Sequence, residues 1–185
     1  MNNYYSVLKI LLRRIAVVFI IYQFCRIVFL LFNKSYFPNI TPNIFLGGVV
    51  YDLSAIGFIN LFFILLHLIP GNFKYKPNYQ KRLKVAFFAV NLIFIATNFV
   101  DFEYFKFTGR RSSFGLITAK GMENEIGGLI PLFLMNYWYL PIGFILLSVV
   151  IWKLLSNPKT VNQIDKLSKK EIMQQYFILL LVFAF

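Results

Sequence analysis

Acidic side chains are scarce in this chain, and histidine and cysteine are scarcer: seven Asp and Glu, one His and one Cys in 185 residues. A lone cysteine, Cys25, excludes an intrachain disulfide; inside an apolar run, it says nothing of redox compartment. A lone histidine, His67, with no His or Cys near it, argues against a zinc site. No nucleophile constellation and no glycine-rich phosphate loop is present. Charged residues are also few, at 14% against about 25% in an ordinary soluble domain. That shortage argues against a soluble globular enzyme.

Hydrophobic residues fill the gap, at 59% of the chain with a mean hydropathy of +0.68. Aromatics alone reach 19%. The 19 basic residues outweigh the seven acids, for a net charge of +12. Nucleic acid would need those bases gathered on one solvated face. Here they fall between apolar runs, which is the pattern of a multi-pass membrane protein and excludes a nucleic-acid partner.

A spanning helix takes roughly 20 mostly apolar residues to cross about 30 Å of hydrocarbon. Four complete runs fit, over residues 15–32, 44–69, 83–100 and 129–155. The first follows Lys9, Arg13 and Arg14 but is too long for a signal peptide and lacks a small-residue cleavage site, so it reads as an uncleaved span. Pro70-Gly71 stops the second, and Pro141 is expected to kink the fourth. A fifth run, 174–185, is cut short at Phe185 after about 15 Å of rise, so the chain reads as the front part of a longer protein. The expected fold is an all-α membrane bundle of four complete spans and the start of a fifth.

Loop charge sets the expected orientation. Lys74, Lys76, Lys81, Arg82 and Lys84 crowd one loop, and Lys153, Lys159, Lys166, Lys169 and Lys170 dominate another. The intervening loops carry Lys34 alone, or four bases balanced by four acids over 101–128. Basic loops stay in the cytoplasm. The N-terminus is therefore expected inside, and the 101–128 segment outside.

Two charges lie within the apolar runs. Arg26 and Asp52 both sit roughly 9–12 Å below the outer surface, counted at 1.5 Å per residue. Charges at that depth are expected to face protein or water and to be paired. An Arg26–Asp52 pair is expected, with Gly48, Asp52 and Ala55 on one face where a neighbouring helix can approach. It reads either as a structural clamp, as an outward-facing recess for a lipid headgroup, or as part of an ion path. His67 reads as an interfacial ring reaching for headgroups. In the external segment, Asp101, Glu103, Arg110 and Arg111 alternate with aromatics, which suits the membrane interface. Arg110 and Arg111 could grip lipid phosphate, or the charges could pair among themselves. Membrane lipids, anionic phospholipids among them, are the expected partners.

Two stretches carry a family resemblance. Gly47-Gly48-Val49-Val50-Tyr51-Asp52-Leu53-Ser54-Ala55-Ile56 resembles the Gly-x-x-x-Asp-Leu-Ser-Ala motif early in the membrane part of lipoteichoic-acid-synthase-like proteins. The run from Asp101 to Ser112 is similar to the stretch after their third span. The chain departs from the pattern at Val50 and Tyr51, where an Arg–aromatic pair is expected. The resemblance implies a bacterial cytoplasmic-membrane protein whose five spans precede an extracytoplasmic sulfatase-like domain of the alkaline phosphatase superfamily. That domain implies a threonine nucleophile and a divalent metal, commonly manganese, acting as transferase or hydrolase on phosphoglycerol or a related headgroup. None of it lies in these 185 residues, so no catalytic, cofactor or metal residue is assigned. A small standalone transporter or channel, or a non-catalytic scaffold, is the competing reading.

Overall fold

The computed structural model describes residues 2–69, 71–112, 134–155, 172–174 and 176–177. Those residues are all-helical, with no strand among them. Three long helices form the framework: α1 (Asn2–Phe32), α2 (Pro42–Leu68) and α3 (Pro77–Thr108). A shorter helix, α4 (Tyr139–Leu154), follows. Single 3₁₀ turns, Lys34–Tyr36 and Asn72–Tyr75, connect α1 to α2 and α2 to α3. The chain therefore runs up and down, and the bundle has a first-loop end near Lys34 and a second-loop end near Asn72. Helix α1 is central, packing on both α2 and α3, while α4 lies mainly on α3.

Among the described residues, three helices are long and apolar enough to cross a membrane. Helix α4, at 16 residues, rises about 24 Å and is shorter than a hydrocarbon core of about 30 Å. The expected fourth span, 129–155, is thus broken. Pro141 accounts for the break, because its ring excludes the carbonyl four residues back in a regular helix. Residues 134–136 are helical, the chain turns at Tyr137 and Trp138, and the Leu140 N–H closes a tight turn on the Tyr137 carbonyl at 2.9 Å. Pro141 then sits in the first turn of α4, where its missing donor costs nothing. It ends one helix and permits the next rather than kinking a continuous one. Most of the expected fifth run, 178–185, lies outside the described residues, as does 113–128 of the expected external segment.

The buried face of α1 repeats in steps of three and four: Val7, Leu11, Arg14, Val18, Ile21, Cys25, Phe29. Helix α3 does the same with Gln80, Lys84, Phe87, Asn91 and Ile95, and α2 with Ile56, Asn60, Phe63 and His67. Such a seam lets near-parallel helices interlock. Polar residues occupy the seam, while Leu12, Ile20, Leu46, Phe58 and Phe62 are exposed on the outward faces. A helix set with its polar groups inside and its apolar ones outside matches an apolar solvent, in which burying Leu gains little and pairing polar groups gains more.

Helix α3 overshoots its expected end at Val100 by eight residues, so Asp101–Thr108 is helix rather than an interfacial loop. The stop is Gly109, in the left-handed conformation (φ 63°, ψ 12°), whose N–H bonds the Phe105 carbonyl at 2.8 Å. A side chain there would meet no neighbour but would strain the backbone. Gly109→Ala is expected to lower stability by about 1 kcal/mol in a detergent melt. Gly57→Ala, in open space on helical α2, should instead leave stability unchanged or raise it by up to about 1 kcal/mol. Equal losses at both positions would mean that Gly109 is not a conformational stop.

Candidate functional site

Polar contacts between helices occur at three levels. Nearest the first loop, Arg26 of α1 reaches across to α2. Its Nε donates to Asp52 Oδ2 at 2.8 Å, and its Nη2 lies 2.6 Å from the same oxygen. Nη2 also donates to the Gly48 carbonyl. Gln23, one turn before Arg26, adds a third donor to Asp52 Oδ2 at 3.2 Å. The guanidinium lies against Gly48, and a Cβ at that position would fall on it. Glycine at 48 and aspartate at 52, one turn apart on α2, thus form one receptor for one arginine. The pair is mostly but not fully covered, with side-chain exposures of 21% and 16%.

Beside it, the chain beyond Gly109 folds back along α3. Arg111 Nε bonds Asp101 Oδ2 at 2.9 Å, and Nη2 bonds Asn98 Oδ1 at 2.6 Å. The Ser112 N–H takes the other Asp101 oxygen at 2.7 Å. The guanidinium also stacks 5.0 Å from the Phe29 ring of α1. Glu103 holds Lys106 with both oxygens, at 2.8 and 2.9 Å, and accepts from the Tyr139 hydroxyl at 2.7 Å, tying α3 to α4. Asp101, Glu103 and Arg111 are therefore engaged within the protein. Arg110 differs: it is exposed, and its guanidinium has no partner among the described residues. An aromatic cluster of Phe29, Phe37, Phe105 and Tyr36 floors this end, with Asn33 donating to the Phe29 and Phe102 carbonyls.

At mid-bundle, Asn60 of α2 and Asn91 of α3 exchange two amide hydrogen bonds, 3.0 and 2.8 Å long. Each also donates to its own helix, to the Ile56 and Phe87 carbonyls. The two amides satisfy one another.

The third level lies toward the second loop and centres on Arg14, 1% exposed. Its Nη2 donates to the Gln80 carbonyl at 3.1 Å and its Nη1 lies 3.1 Å from His67 Nε2. A guanidinium offers only donors, so His67 must accept on Nε2. Its proton is then on Nδ1, which faces the Phe63 carbonyl at 2.7 Å. His67 is a buried partner of Arg14 rather than the interfacial ring expected from its position. Its burial follows from its place on the α2 seam, a step of four after Phe63. Gln80 in turn donates to the Lys74 carbonyl at 2.9 Å, and burial lowers the Lys74 ammonium pKa to about 8. Lys84, also buried, sits 4.3 Å over the Trp152 ring of α4.

The sequence reading named Arg26 and Asp52, and the structure brings them together. It read Arg14 only as part of the basic lead before the first run, and it did not single out Gln23, Gln80, Asn60 or Asn91. Spacing along the α1, α2 and α3 seams was the available signal for all but Gln23. Among the described residues, no group of three His, Cys, Asp or Glu side chains converges as a metal site would. Comparison of the chain with protein-family models, with curated proteins and with solved structures finds no match.

The Arg26 receptor is testable through its glycine. Gly48→Ala is expected to displace the guanidinium and cost on the order of 1–3 kcal/mol, the range for leaving a buried polar group unsatisfied. Gly47→Ala, next to it in open space, should be neutral or mildly stabilising. In an Arg26→Leu background the Gly48→Ala penalty should largely vanish. A penalty of the same size with and without Arg26 would show that the contact does not hold α2.

Proposed function

We propose that this chain is the membrane domain of a sulfatase-like lipid-headgroup enzyme. In this reading it crosses the bacterial cytoplasmic membrane with its N-terminus inside. It anchors a catalytic domain on the outer face and presents lipid substrate to it. The observation that carries the reading is the Arg26 receptor. Gly48 and Asp52, both positions in the stretch that resembles lipoteichoic-acid-synthase-like proteins, are the two α2 residues that Arg26 grips. A motif built for one cross-helix contact supports kinship better than hydropathy does.

The first-loop end suits the role. It gathers all three carboxylates of the described residues, a floor of aromatic rings, and Arg110 as an exposed cation. With Arg111 engaged by Asp101, Arg110 is the residue left to meet a lipid phosphate, and guanidinium geometry suits that oxyanion. Metal and threonine chemistry would belong to the catalytic domain. A channel or transporter has less support. Between the Asp52 and His67 levels, the polar side chains buried among the described residues are Asn60 and Asn91, and these close on each other.

Orientation is the part of the reading most open to direct test. In a Cys25→Ser background, single cysteines at Asn39, beyond the first 3₁₀ turn, and at Asn78, at the start of α3, are both on exposed positions. A membrane-impermeant maleimide on intact cells is expected to label position 39 and not 78. Labelling of 78 alone would invert the bundle and overturn an outer-face enzyme. The downstream reading frame gives the complementary check: a soluble domain with a threonine and metal-ligand acids supports the proposal, and a stop codon directly after Phe185 overturns it.

A further inference from the structure

The second-loop end carries basic side chains and, among the described residues, no carboxylate. One part of it is a shallow, open surface on α3. Asn78, Lys81, Arg82, Val85 and Ala86 line an open recess of about 510 Å³ on a single face of α3, at spacings of three and four residues. Lys81 and Arg82 are exposed and make no hydrogen bond or ion pair among the described residues. The first carboxylate on their helix is Asp101, about 28 Å away along the axis.

Three features of this recess select its occupant. Two cations side by side attract an anion, with Arg82 able to bind a phosphate in a bidentate manner and Lys81 acting as a point charge. The recess lies in the first turns of α3, which has no acidic residue in its opening turn, so the helix dipole adds to the positive field. Val85 and Ala86 continue the same face toward the middle of the helix, where the apolar run begins. A charged rim one turn outside an apolar floor is complementary to an amphiphile and not to a free ion.

We propose that this exposed face of α3 binds one anionic phospholipid, with its phosphate between Lys81 and Arg82 and an acyl chain along Val85 and Ala86. The Asn78 amide is placed to donate to the phosphate or glycerol oxygens. The proposal rests on the chain being membrane-embedded, but on neither its orientation nor an attached enzyme.

The test uses the full chain in nanodiscs of phosphatidylcholine, with and without phosphatidylglycerol, read by thermal unfolding. Phosphatidylglycerol is expected to raise Tm by about 4 °C, the rise expected for a site occupied at roughly ten times its Kd in a chain of this size. Lys81→Gln/Arg82→Gln should abolish that rise while leaving Tm in pure phosphatidylcholine unchanged. Lys9→Gln/Arg13→Gln removes two exposed charges from the same end of the bundle and should retain the rise. Inorganic phosphate added to pure phosphatidylcholine discs should not reproduce it. Absence of any phosphatidylglycerol effect, equal loss in both double variants, or full stabilisation by phosphate alone would each overturn the site. Failure of the chain to enter nanodiscs at all would instead overturn the membrane reading beneath it.

Discussion

A polar side chain on an otherwise apolar helix has to find its partner on another helix. Water is not there to substitute, and an unsatisfied group costs more than apolar packing returns. That constraint fixes the arrangement of this bundle. Arg14, Gln23 and Arg26 lie along α1, and Asn33 directly follows its last residue. They bond His67, Asp52 and Gly48 on α2 and the Gln80 and Phe102 carbonyls on α3. Helix α1 is central because it carries these donors. Asn60 and Asn91 then join α2 to α3 directly, at mid-height. Rotating or sliding α1, α2 or α3 by one residue would strand several of these groups at once, so they set register in a way that interchangeable Leu and Phe contacts do not.

The two ends answer different demands. At the first-loop end every described carboxylate is engaged, and the chain beyond Gly109 is drawn back onto α3 by Asp101. This leaves a closed, aromatic-floored surface with Arg110 exposed, a suitable seat for a domain or a headgroup. At the second-loop end the charges of the described residues are of one sign. Arg14 is held there by neutral acceptors, a histidine nitrogen and a backbone carbonyl, so its charge is spread over dipoles instead of being cancelled. Such an end is electrostatically receptive to anions, whichever side of a membrane it faces.

Much of this was readable from the sequence, and the parts that were not share a cause. Apolar runs located α1, α2 and α3, because span length is set by bilayer thickness. Equal depth from one surface was enough to pair Arg26 with Asp52. Hydropathy, however, cannot tell the lipid-facing side of a uniformly apolar helix from its buried side, so the seam and its asparagines stayed hidden. His67 was misplaced for that reason: its height was right and its face was not. Helix α3 ran past Val100 because a helix ends where its backbone is capped, at Gly109, and not where charge begins. Pro141 was seen, but whether a proline kinks or breaks depends on tertiary support that local sequence does not report. The return of Arg111 to Asp101 depends on the left-handed turn at Gly109, a single dihedral angle.

If cross-helix polar bonds set the register, the Asn60–Asn91 pair must be energetically coupled, and a double-mutant cycle in bilayers measures that coupling directly. Asn60→Leu and Asn91→Leu should each destabilise the bundle by stranding the remaining amide. The double variant should recover on the order of 0.6–1.7 kcal/mol relative to the sum, the range found for interhelical hydrogen bonds in membranes. Strictly additive losses, with no coupling between the two positions, would contradict the account.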